Sequence, residues 1–277
     1  MVSKSSIGNP QIKIDILNLI TSGKERPILL YNRIMDIPHN KCVFIDNRSA
    51  KSLPGVAMVF SMTSNDEILV PGLLESFYFC DFFIAYYDDG TDFAYDESKR
   101  HKMLIDTAKA NGAKWVYLTQ PTVRLGSGWR DILAKCLSTD RPLILHSPVY
   151  YFWDYSLDTI RTDLTKFQPG CFFRIHPQNS FSDSKLHHMA VPVAGERVRV
   201  APIRYNMNRL GREVCLAKAN YYQAKDGTPH NTLRDFSHIV TKKIEPSTIR
   251  GLGSNELEYI KRISASFCDQ KSKGQAF

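Results

Sequence analysis

The chain has 277 residues, with 36 Lys and Arg against 28 Asp and Glu, a formal charge of +8. Hydrophobic residues make up 43% and charged residues 23%, which excludes global disorder and fits one large α/β domain. No apolar run approaches the about 18 residues of a spanning helix, and the start, MVSKSSIGNPQIKID, predicts no secretory signal.

The charge is unevenly spread. Nine acids and no Lys or Arg lie between Ser61 and Glu97, whereas Arg174 to Lys218 carries eight basic residues against three acids. This polarity fits a phosphorylated ligand or an anionic partner, and it equally fits a mixed, solvated surface. The six cysteines, Cys42, Cys80, Cys136, Cys171, Cys215 and Cys268, form no CxxC pair and no Cys/His cluster. Buried thiols in a reducing, cytoplasmic compartment are the simplest expectation.

Residues 1–52 read as a leader in which PILLY (27–31) and KCVFID (41–46) look like short strands. VAMVFSM (56–62) predicts a buried strand, 65–79 a helix interrupted near its Pro, and FFIAYY (82–87) a second strand. Residues 97–112 predict an amphipathic helix ending at Gly112, and KWVYLTQ (114–120) a third strand. RPLILHSPVYYFW (141–153) supplies one or two more. CFFRI (171–175) and ERVRVAPIRY (196–205) suggest strands, and 211–226 and 231–240 suggest helices, before a frayed polar tail. Strands alternating with helices predict a mostly parallel central sheet flanked by helices, with a more irregular C-terminal part. The expected division is a leader (1–52), a ligand-binding α/β half (53–145), an opposing half (146–240) and a C-terminal extension (241–277). Ligands of such sheets bind beyond the C-terminal ends of the strands, which gathers the loops Met62–Asp66, Asp88–Asp92, Thr119–Arg124 and the segment after Trp153.

The sequence holds no P-loop, no GxGxxG opening a helix after a strand, no HExxH and no GxSxG. Four local features remain. In YYDDGTD (86–92), Asp88 and Asp89 end a strand and can accept hydrogen bonds from a ribose or base, or simply cap a turn. In TQPTVRLGSGW (119–129), Arg124 can meet an anion while Gln120 and Thr122 bond neutral groups. In YYFWDYSLDTIRTDL (150–164), Tyr150, Tyr151, Trp153 and Tyr155 can form a stacking wall or ordinary core. Asp154, Asp158 and Asp163 are candidate bases there, and Arg161 can pair with an acid or a phosphate. Arg174, His176, His187 and His188 form the last set, in which His188 or its neighbour can move a proton.

The ordered set of segments over residues 55–225 resembles the family-2-like glycosyltransferases of the GT-A fold, which use nucleotide-diphosphate sugars. Asn65 and Asp66 match the Asn-acid pair after the family's first strand, and Asp88 and Asp89 match its nucleoside-contacting acids. Arg124 keeps the last position of the acidic motif after the third strand. Arg161 and Asp163 match a Tyr-Arg-x-Asp element, Arg174 a Pro-x-x-LFR element, and Arg212, Lys218 and Tyr222 a late helix.

The resemblance implies transfer of a sugar from a nucleotide-diphosphate sugar to an acceptor hydroxyl, with inversion. Asp163 or Asp154 would serve as base, and Arg124, Arg174, Arg204 or Lys218 would offset the leaving diphosphate. The acceptor would be a glycan, a lipid, a protein or a hydroxymethylated DNA base. The family's metal-holding acids are replaced by Gln120 and Thr122, with Val123 in place of the usual Glu. The enzyme is then metal-independent, or draws on other acids for Mg or Mn, or has become a non-catalytic nucleotide- or glycan-binding protein.

Overall fold

The computed structural model describes residues 12–15, 42–88, 96–163, 172–181, 192, 194–227, 229 and 231–272. The main sheet contains β1 (Ile12–Asp15), β2 (Cys42–Asp46), β3 (Leu53–Met62), β4 (Cys80–Tyr87), β5 (Trp115–Thr119), β7 (Leu143–His146), β10 (Phe172–Arg174) and β11 (Glu196–Arg199). Their order is β1-β2-β4-β3-β5-β10-β7-β11. Side chains alternate across β3: Val56, Met58, Phe60 and Met62 enter one cluster, Ala57 and Val59 the other. The first cluster is roofed by α1 (Val70–Ser76) and α3 (Trp129–Cys136), the second by α2 (Glu97–Ala110). Coverage of both faces explains why β3, β4 and β5 read as continuous apolar runs.

The local signals act as elementary chemistry requires. Pro71 stands in the first turn of α1, where its missing N–H costs nothing, so it starts this helix after a short 3-10 turn (Glu67–Leu69). The Asp96 side chain accepts the Lys99 N–H at 3.0 Å and caps α2, which exits through Gly112 at φ +88.

The sheet is mixed rather than mostly parallel. β3 pairs in parallel with β4 and β5, but β10 runs antiparallel to both β5 and β7, and β2 antiparallel to β4. A second sheet, order β13-β9-β8-β12-β6, was not foreseen. It comprises β6 (Val123–Leu125), β8 (Val149–Phe152), β9 (Thr159–Arg161), β12 (Arg204–Asn206) and β13 (Thr241–Lys243). β6 and β8 begin within a few residues of the ends of β5 and β7, so this sheet lies beyond the C-terminal edge of the main one. The chain leaves β7 there and re-enters the main sheet from that same end, which makes β10 antiparallel.

Against the second sheet pack α4 (Arg212–Asp226) and α6 (Ser254–Ser272), while α5 covers only Asn231–Arg234 of the longer helix expected there. The tail read as frayed is helical through Ser272, and Ile260 of α6 enters a third apolar cluster with Leu69, Phe152, Met207 and Val214. The strand expected at 27–31 lies outside the described residues. No described helix is long and apolar enough to cross a membrane.

Phe172 is the hub of the first cluster. Its ring lies 4.7 Å from Tyr117, 5.4 Å from Trp129 and 5.9 Å from Phe79, and the residue is fully buried. Phe172→Ala is expected to cost about 3–5 kcal/mol in urea unfolding, because the surrounding rings cannot all collapse into the gap. A loss under 1 kcal/mol would show that β10 adds little to the core.

Candidate functional site

The loops that follow β3 and β4 meet at the C-terminal ends of these strands. Asn65 is exposed, and the Asp66 carboxylate accepts the Thr63 N–H at 3.0 Å and its hydroxyl at 2.9 Å, which fixes the turn. Glu67 accepts the Tyr87 hydroxyl at 2.7 Å, tying the two strand ends together. Burial first, then this bond and the Glu67 charge, push the Tyr87 phenol up to about 12. Asp88 donates its N–H to the Met62 carbonyl at 2.8 Å, and its carboxylate pairs with Arg100 of α2. Asp89 lies outside the described residues, as do His187 and His188.

A cavity is built by α4, the loop before it and α6. Lys218 lines this cavity of about 390 Å³ together with Met207, Leu210, Val214, Tyr221 and Tyr259. Burial pushes its ammonium down to about 8. The Cys215 thiol and Asp66 oppose that shift and the Arg209 charge adds to it. Tyr259 is pushed up to about 12 by burial and then by the Asp66 charge. The Asp66 charge thus reaches both Lys218 and Tyr259, which brings together the loop after β3, α4 and α6. Lys218 forms no ion pair or hydrogen bond among the described residues. Arg209, half-buried, lies with its guanidinium carbon 4.5 Å from the centre of the Tyr151 ring.

No family model matches this chain, and no curated protein matches it. The site rests on its own geometry.

That geometry sorts the residues expected to act together. Lys218 lines the cavity and is close enough to Asp66 to sense its charge, while Asn65 and Asp88 stand on the loops after β3 and β4. Arg124 does not reach the cavity: the residue is fully buried. Its Nη2 bonds Glu256 at 2.5 Å and the Leu69 carbonyl at 2.9 Å, its Nε the Gly251 carbonyl at 2.7 Å, and its Nη1 the carbonyls of Pro121 and Val123. Arg204 is buried too, with its Nε on the Ser147 hydroxyl at 2.8 Å.

Arg174 is at the wrong end of the sheet for the role expected of it. It pairs with Trp115, the first residue of β5, because β10 is antiparallel, and its Nη2 bonds Asp140 at 2.9 Å. His176 follows it there.

Arg161 binds Asp163 through both oxygens, at 2.6–2.9 Å, and lies over the Trp153 ring at 5.0 Å. Burial would raise the Asp163 pKa, but the Arg161 bonds and charge outweigh it and hold the carboxyl below its ordinary value. That makes Asp163 a poor base. Asp154 is exposed, and both it and Tyr155 are left-handed, at φ 55 and 51. Their turn is tied to the start of α4 by the Tyr155 N–H to the Leu210 carbonyl, 3.0 Å, and by the Tyr155 hydroxyl to Glu213, 3.2 Å. Of the expected aromatic wall, Tyr151 and Trp153 are buried beneath arginines.

The divalent metal that the resemblance implies does not fit these residues. Gln120 is exposed and neutral, Val123 is buried apolar core, and Thr122 is buried with its hydroxyl unpartnered. No group of three or more His, Cys, Asp or Glu able to hold a metal occurs among the described residues. Arg209 and Tyr259 were missed by sequence reasoning. Arg209 stands in a loop between β12 and α4, where no periodicity marks it, and only the fold brings it beside Lys218.

Proposed function

We propose that the protein is a glycosyltransferase on a GT-A-like scaffold, moving a sugar from a nucleotide-diphosphate sugar to an acceptor hydroxyl. The observation that supports this reading is the placing of Asp66, in the loop after β3, within the electrostatic surroundings of Lys218 on α4, which makes no ion pair or hydrogen bond among the described residues. Carboxylates such as Asp66, and the oxygen of Asp88 left beside its Arg100 pair, suit ribose hydroxyls and base N–H groups, and cations suit a diphosphate. Asp154 is the candidate base, since Asp163 is committed to Arg161. The acceptor oxygen would bond the anomeric carbon as the bond to the diphosphate breaks, and the acceptor proton would pass to Asp154. Attack on the face opposite the leaving group inverts that carbon.

The acceptor class stays open among a glycan, a lipid, a protein and a modified DNA base, the last consistent with the +8 charge. Free thiols at Cys42, Cys80, Cys136 and Cys215 suit a cytoplasmic setting.

A panel of nucleotide sugars incubated with these acceptors tests the reading. Release of nucleoside diphosphate with sugar incorporation is the expected result. Nucleotide binding without turnover would favour a binding protein on the same scaffold, and neither binding nor turnover would end the proposal. Binding of hydroxymethylated duplex DNA that weakens steeply with salt is expected only if DNA is the acceptor.

A further inference from the structure

We infer that the cavity between α4 and α6 holds an aliphatic carboxylic acid that also carries a hydroxyl or amide donor. This goes beyond the nucleotide-sugar reading and does not depend on it, because it rests only on the residues that line the cavity.

The volume, about 390 Å³, falls within the range of roughly 300–1,000 Å³ typical of small-molecule sites. Met207, Leu210, Val214, Ala217 and Ile263 give the cavity aliphatic walls. Tyr221 also lines it and is 54% exposed, so that wall opens to solvent.

Two polar groups in these walls are left unsatisfied. Lys218 is the only cation lining the cavity among the described residues, and it makes no ion pair or hydrogen bond with any of them. The side-chain carbonyl oxygen of Asn208 is buried and accepts no hydrogen bond. Both are costly in aliphatic surroundings, since an ammonium needs an anion and a buried carbonyl needs a donor. Asn208 stands in the loop after β12 and Lys218 at the middle of α4, so packing rather than a local turn brings them to one space. Water would serve the two polar groups but leave the aliphatic walls wet, which costs free energy.

A ligand that answers all three features has one negative charge, one hydrogen-bond donor and an aliphatic body. A carboxylate meets the single ammonium charge for charge. A hydroxyl or amide N–H supplies the donor that Asn208 lacks. The aliphatic body removes its own surface and that of the walls from water. A diphosphate answers the ammonium only. It offers nothing to the aliphatic walls, and the Asn208 carbonyl repels its oxyanions.

The test is calorimetric binding of 3-hydroxyoctanoate, octanoate, octanol and acetate, each below its aggregation limit. It uses the full chain and the variants Lys218→Met, Asn208→Ala and Ala217→Phe, with circular dichroism to show that each is folded. 3-Hydroxyoctanoate is expected to bind best, octanoate less well and acetate not measurably. Lys218→Met should weaken both longer acids by about 10-fold or more, as loss of a charged hydrogen bond does, and leave octanol within about threefold. Asn208→Ala should remove the advantage of the hydroxy acid over octanoate, the coupling expected of a direct contact. Ala217→Phe fills the cavity and keeps the charge, so it should weaken the acids and octanol together. Acids that bind the parent and Lys218→Met alike overturn the proposal, as does absence of binding by both longer acids or binding that ignores Ala217→Phe. None of these outcomes touches sugar transfer, so the nucleotide-sugar reading stands or falls on its own test.

Discussion

Glu256→Ala is expected to lower the stability of the fold by about 3–5 kcal/mol, the range seen when one partner of a buried ion pair is removed. Arg124 and Glu256 are both sealed from solvent, at 0% and 3% side-chain exposure, with Nη2 and Oε1 2.5 Å apart. Burial pushes the Arg124 guanidinium down, and the Glu256 charge and hydrogen bond push it back up. An arginine does not escape by losing its proton, so the variant leaves a bare charge in the core. The second carboxylate oxygen of Glu256 accepts the Gly253 N–H at 2.9 Å, so the start of α6 loosens as well.

This pair differs from an ordinary buried ion pair in one respect. Arg124 also satisfies the carbonyls of Leu69, Pro121, Val123 and Gly251. An apolar double replacement, Arg124→Met with Glu256→Met, removes both charges but orphans those acceptors, so it is expected to remain destabilised. Gly72 and Gly251 seal the same junction. A Cβ on Gly72 would stand 2.2 Å from Glu256 Oε1 and 2.3 Å from the Gly251 carbonyl, and Gly251 itself is at φ +74. Chemical denaturation of the single and double variants measures these effects. A Glu256→Ala protein within 1 kcal/mol of the parent would show that the pair holds nothing together.

Lys218→Met is expected to act in the opposite direction and stabilise the fold at pH 7, on the order of 1–3 kcal/mol. The lysine gives up its proton near pH 8 in the folded protein against 10.5 in the unfolded chain. Between those values the unfolded chain binds more protons, so this residue makes stability rise with pH across that window. Below about pH 8 the full cost of holding the charged form in the cavity is present. Methionine has no charge to desolvate and fills the same space. Its advantage should be greatest at pH 7, shrink from about 8 upward and vanish by about 10.5. Urea melts of both proteins from pH 6 to 10.5 read this directly. A variant less stable than the parent at pH 7 would show that Lys218 is a structural residue. A gain accompanied by loss of carboxylate affinity is the trade expected of a functional charge.

Much of the main sheet was legible in the sequence. β3, β4 and β5 are apolar runs bounded by polar loops, and α2 carries its own cap and its own glycine exit, all of which are local signals. The late helix, α4, was equally clear from residues 211–226. The short strands β6, β9 and β13 have three residues each, too few to show a period, so the second sheet was invisible. The helix α6 was obscured because its surface-facing residues make the tail look solvated, although Ile260 enters the core.

For the candidate site, sequence determined which chemistry was available: acids at two strand ends, a lysine on a late helix, and an amide and a hydroxyl where metal-holding acids were expected. Only the tertiary structure decided which charges are spent. Arg124, Arg161 and Arg174 have the same side chain as Arg209, and nothing in their sequence neighbours separates them. Glu256 lies 132 residues from Arg124, and the antiparallel turn of β10 carries Arg174 to the far edge of the sheet. Residue type fixes what a side chain can bind, while burial and strand direction fix what it meets. Whether a cation meets an anion is a property of packing between distant segments, which no local pattern encodes.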